Sequence, residues 1–147
     1  MKYVIFIMCL FAFDVSASTN VSECISLRGD VGKAMFFSML DDLGIKETSV
    51  DKERTDVKII SENPVSFALA KTYGVLEKKL SGENSEDKTT VDEYAYGFMK
   101  NHTKNMIIEY SFSNKKNMKN VFLASVFVSD TDCIVRFNNY IIVRRGF

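Results

Sequence analysis

Asn105-Met106-Ile107-Ile108-Glu109-Tyr110-Ser111-Phe112-Ser113 and, after a polar link at 114–120, Val121-Phe122-Leu123-Ala124-Ser125-Val126-Phe127-Val128 decide the fold of this 147-residue chain. In the first run Met106, Ile108, Tyr110 and Phe112 alternate with Ile107, Glu109, Ser111 and Ser113. That period of two marks a strand with one buried face and one mostly wet face. The second run is apolar on both faces, as a central strand covered from both sides must be. A last strand, or a tight strand pair, is expected over 133–143, where Asn138-Asn139 either turns the chain or forms a bulge. The short links at 114–120 and 129–132 allow consecutive strands to pair as an antiparallel meander.

Upstream of these strands the apolar period lengthens to that of helices. Val31, Ala34, Met35, Met39 and Leu43 track one face of a helix over 31–43, with Asp30 as its cap and Gly44 as its stop. The charged stretch 46–54 reads as a connector, and Thr55, Val57 and Ile59 alternating with Asp56 and Lys58 as a short half-buried strand. Asn63-Pro64 reads as the start of a second helix bearing Val65, Leu69, Tyr73, Leu76 and Leu80, with Gly74 weakening its later half. The polar segment 81–88 reads as an exposed loop. Thr90-Val91-Asp92-Glu93 has the form of a capping box ahead of Tyr94, Ala95, Phe98 and Met99 at helical spacing. Helices gathered at the front and strands at the back imply an α+β fold. N-terminal helices are expected to pack on one face of a C-terminal antiparallel sheet of three to four strands, in a single domain over 18–147.

The first residues read differently. Met1-Lys2 precedes an apolar run from Tyr3 to Phe13, and Val15-Ser16-Ala17 supplies small residues before a polar stretch. These are the marks of a secretory signal peptide over 1–17, cut after Ala17. The expected product is exported: periplasmic in a Gram-negative host, secreted otherwise. No later run approaches the roughly 20 apolar residues of a membrane helix. Cys9 would leave with the leader, so Cys24 and Cys133 remain, and in an oxidising compartment they are expected to form a structural disulfide. Neither a C-x-x-C redox spacing nor a histidine near them supports redox or zinc chemistry.

Function is less legible. A formal net charge of zero gives no general attraction to nucleic acid or to an anionic membrane. The single histidine, His102, reads as a residue at the end of the third helix, and Asp41-Asp42 as a solvated helix face. No phosphate-binding, dinucleotide, metal or nucleophile motif implies a cofactor. Two basic features suit recognition: Lys115, Lys116 and Lys119 in the link between strands, and Arg136, Arg144 and Arg145 beside Phe137, Tyr140 and Phe147. The lysines suit an ordinary solvated turn better, and the arginines equally suit protection of an edge strand. Asn20-Val21-Ser22 and Asn101-His102-Thr103 match the glycosylation pattern of eukaryotic exported proteins. The leading expectation is a small exported binding protein, of inhibitor or immunity type, whose partner is another exported protein. The alternatives are a small exported hydrolase whose polar site is assembled in space, or a carrier of an apolar ligand suggested by the twelve Phe.

Overall fold

A computed structural model describes residues 20–82 and 88–147, so the expected signal segment 1–17 with Cys9, and residues 83–87 of the expected 81–88 loop, lie outside the described residues. The elements run α1 (Val21–Ile25), α2 (Asp30–Leu43), a 3-10 turn (Glu47–Ser49), β1 (Asp51–Pro64), α3 (Phe67–Ser81), α4 (Val91–Gly97), β2 (Lys104–Ser113), β3 (Lys119–Val128) and β4 (Arg136–Arg144). The four strands pair antiparallel in the order β1-β2-β3-β4. The class is α+β, with two helices ahead of the sheet.

Local chemistry explains most boundaries. The Asn20 side chain accepts the Ser22 N–H and starts α1. At the start of α2 the cap is Gly29, not Asp30. A Cβ at Gly29 would stand 2.1 Å from the Glu23 carbonyl oxygen, so the α1–α2 corner admits no side chain there. Gly44 closes α2 at φ 63°, a conformation in which a side chain is costly. The capping box forms as its sequence implies: Thr90 Oγ1 accepts the Glu93 N–H at 3.2 Å, and Glu93 Oε2 accepts the Thr90 N–H at 2.7 Å. The helix behind it ends at Gly97, before Met99.

The region 46–64 departs most from expectation. Instead of a connector, a short strand and a helix start at Asn63-Pro64, one long strand runs to Pro64, and α3 begins after Ser66, whose Oγ accepts the Leu69 N–H at 3.3 Å. The reason is position. β1 is an edge strand with one paired side, so Lys52, Glu53 and Arg54 keep exposed positions there and Pro64 sits at the strand end, opposite Lys104.

The register of β2 against β3 builds the main core. Met106 stands opposite Val126, Ile108 opposite Ala124, and Tyr110 opposite Phe122. All six are buried, with Phe112 and Val128, against Ile25, Val31, Met35, Phe36 and Met39 of the first two helices. Tyr110 reaches through this layer to donate to the Ile25 carbonyl at 2.8 Å. Phe127 points to the opposite face, where its ring meets Tyr73 at 5.1 Å and Phe98 at 5.9 Å. With Val65, Ala70 and Ala95 these form a second core under α3 and α4. Helices therefore cover both faces of the sheet rather than one, because β3 is apolar on both. Gly74 is a packing requirement here: a Cβ would lie 2.6 Å from the Val91 carbonyl oxygen, so it is what lets α3 and α4 touch.

Cys24 and Cys133 are joined, with Cα atoms 5.1 Å apart across 109 residues of sequence. The bond ties α1 to the segment just before β4. Opposite Asn138 the register slips by one residue, since Phe137 faces Val126 and Asn139 faces Ser125. Asn138-Asn139 is a bulge, and the Asn138 amide donates to Ser125 Oγ at 3.0 Å.

Replacing both Cys24 and Cys133 by serine should cost about 2–5 kcal/mol, the usual cost of losing a native disulfide. Urea unfolding of the oxidised protein and the double variant measures it directly, and a difference below about 1 kcal/mol would remove the bond's architectural role. A pH effect follows from the tyrosines. Burial pushes the Tyr110 hydroxyl pKa up, while burial and then the hydrogen bond to Asp42 push Tyr140 to about 12. In the unfolded chain both titrate at about 10. The folded state therefore holds protons that the unfolded state has lost, and stability falls as pH rises from about 10 through the folded values. Tyr110→Phe should unfold with a shallower pH dependence above about pH 10 than the parent.

Candidate functional site

The structure collects some of the candidate residues and sets others apart. Lys115 and Lys116 are exposed on the β2–β3 turn, which Asn114 shapes by accepting the Lys116 and Met118 N–H groups at 2.9 and 3.0 Å. Lys119 is the first residue of β3 and donates to Asp56 of β1 at 3.1 Å, so it is already engaged. Arg144 stands opposite Val121, and Asn120 folds the following residues back: its fully buried side chain accepts the Gly146 N–H at 2.7 Å and donates to the Phe147 carbonyl at 3.1 Å. The lysine turn and the Arg144-Arg145 pair thus meet at one end of the sheet.

Arg136 and Tyr140 are engaged inside the molecule. The Arg136 guanidinium lies over the Tyr73 ring at 4.9 Å and the Phe98 ring at 5.8 Å, and it pairs with Glu77 of α3. It fastens the second helical layer to β4. The Tyr140 hydroxyl donates to Asp42, so the carboxylate read as part of a solvated helix face anchors β4 to α2. His102 also differs from its reading. It lies beyond α4 in a turn, at φ 53°, and its Nδ1 meets Asp130 Oδ2 at 2.9 Å rather than capping a helix.

What remains unsatisfied is the outer side of β4. The two edges of the sheet differ in charge. Exposed charges stud β1 at Lys52, Glu53, Arg54, Asp56 and Lys58, the usual protection of an open edge, and they precede an exposed apolar pair, Ile59 and Ile60. On β4, Ile141, Ile142 and Val143 are 62%, 47% and 56% exposed, and no charge lies between Arg136 and Arg144. Bulges at Asn138 and beside Val143 bound a regularly paired stretch from Asn139 to Ile142. Ile141 pairs with Leu123 on the sheet face that α3 and α4 leave open, and there Ile107, Leu123, Ser125, Asn139, Tyr140 and Ile141 line a shallow hollow of about 240 Å³. At the other end of the strand α3 meets β4 through the Glu77–Arg136 pair, and Leu80, one turn later, is exposed.

These aliphatic residues were missed as a site because apolar residues in a strand read as core. The available signal was that 141–143 is an unbroken apolar run in a strand whose neighbours had already supplied both faces of the core. Chemically the arrangement offers an edge strand on which the Tyr140 N–H is bonded to Asn139 Oδ1 at 2.8 Å, an aliphatic hollow, and cations at one end. Comparison of the chain with protein-family models, curated proteins and solved structures gives no match.

The two kinds of arginine should separate by mutation. Arg136→Ala removes a half-buried ion pair and two ring contacts and should destabilise by about 2 kcal/mol, whereas Arg144→Ala and Arg145→Ala should each stay within about 0.5 kcal/mol. Thermal or urea unfolding of the three variants checks this.

Proposed function

We propose that this chain is a small exported binding protein that takes an extended segment of another exported protein along the β4 edge, as an inhibitor or immunity-type protein would. The observation that carries the reading is a difference between edges: on β1 the exposed Ile59-Ile60 pair follows a series of exposed charges, whereas on β4 the exposed run Ile141-Ile142-Val143 lies in a stretch with no charge between Arg136 and Arg144. An added strand would pair with the outer edge of β4, where the Tyr140 N–H is held by Asn139 Oδ1, and its inward side chain would fill the Ile107–Leu123–Ile141 hollow. Long apolar edges that remain open invite aggregation, so a partner that covers this one resolves a standing liability. Arg144 and Arg145 at the strand's end favour a partner segment with a carboxylate there. The Cys24–Cys133 bond accords with an oxidising location.

Immobilised protein should capture a defined partner from an exported protein fraction. Ile141→Asp and Ile142→Lys, both at exposed positions, should each weaken that capture at least about tenfold with little change in melting temperature. Equal capture by the parent and both variants would overturn the β4 assignment. Loss instead on Lys115→Ala with Lys116→Ala would move the site to the turn.

A further inference from the structure

We infer a second, separate binding site: the groove between the α1–α2 corner, α2 and the start of β1, suited to a small organic acid with a planar apolar body. The cavity measures about 550 Å³ and is lined by Leu27, Arg28, Lys33, Phe36, Phe37, Lys52 and Glu53. That is the size of ordinary small-molecule sites, which combine an apolar lining with a few placed polar groups. Its base is aromatic. Phe36 is buried against Phe112, while the adjoining Phe37, packed edge-on to Phe36 at 5.7 Å, is 52% exposed. A half-exposed phenylalanine on a helix whose inward face is already filled has a ring to offer.

The polar groups point to an anion. Lining residues carry three cations, Arg28, Lys33 and Lys52, against one carboxylate, Glu53. Asp30 and Glu47 pair with Lys33 and Lys52, but neither belongs to the lining. Arg28 has no ion-pair partner among the described residues, which leaves its guanidinium fork available for a bidentate contact. Lys52 lies over the Phe36 ring at 4.8 Å, so the flat part of a ligand goes against Phe37 and Leu27 instead.

The wall bearing Arg28 is also built in advance. Close backbone contacts at Gly29 and Gly32, where a Cβ would lie 2.1 Å from the Glu23 oxygen and 2.0 Å from the Ser26 oxygen, fix the corner's path. The disulfide at Cys24 fixes α1 itself. Ordering the site therefore costs a ligand little. The groove shares no lining residue with the β4 hollow, so the two assignments stand or fall independently.

The test is an amide chemical-shift titration with naphthalene-2-sulfonate, run beside its neutral counterpart naphthalene-2-methanol. Saturable shifts should map to residues 27–37 and to Lys52 and Glu53, and the neutral compound should bind about tenfold more weakly. Arg28→Glu and Phe37→Ala, both at exposed positions, should each weaken the sulfonate by about tenfold or more, and Ile141→Asp should leave it unchanged. The inference is overturned by shifts centred on Ile107, Leu123 and Ile141, by equal binding of the two compounds, or by no saturable shift below about 10 mM.

Discussion

The pairing of β2 with β3 in one register is the constraint on which the rest of the molecule depends. With Met106 opposite Val126 and Tyr110 opposite Phe122, the even-numbered residues of both strands share a face. That face receives α1 and α2, and the odd residue Phe127 is left to hold the second helical pair. A slip of one residue would turn every one of these side chains to the wrong layer. No single contact elsewhere has that reach. The disulfide, the Tyr110 hydrogen bond and the Arg136 clasp fasten elements whose positions this register has already set.

The second layer follows from an incomplete cover. α3 and α4 pack on Phe127 near one end of the sheet, and beyond them the face presents Ile107, Leu123 and Ile141 to solvent. A sheet apolar on both sides at its centre but covered on only part of one side keeps an aliphatic strip. Because β4 has a neighbour on one side alone, that strip runs to an open edge. The fold and the proposed binding surface thus have one origin: β3 carries more apolar surface than the helices cover.

The sequence showed the centre of this molecule better than its rim. Alternation in β2, the doubly apolar β3, the capping box at Thr90 and the Cys24–Cys133 pair are local or compositional signals, and the structure contains each of them. The full length of β1 is not legible because Lys52, Glu53 and Arg54 suit water as well in an edge strand as in a loop, so polarity alone does not separate the two. Gly74 reads as a weakness in isolation because the contact that needs it comes from Val91, further along the chain. Site residues suffered most. Arg136 and Tyr140 have the residue types of recognition hot spots, yet Glu77, Tyr73 and Asp42 claim them, and only the three-dimensional arrangement reveals those partners. Ile141 and Phe37 carry the opposite bias, since nothing local in the sequence shows that their side of the element goes uncovered.

An open edge is useful for recognition only if it is held still, and β4 is held along its length. Cys133 is tied to α1 just ahead of the strand, Arg136 grips α3 at its first residue, Tyr140 is bound to α2 through Asp42, and Asn120 clasps the backbone just past Arg145. Each attachment uses a different element, so no single local opening frees the strand. A segment docking there meets a backbone whose conformational entropy was lost on folding, not on binding. The long-range bond between Cys24 and Cys133 serves this end: it fixes the start of this edge strand to a helix packed against the main core.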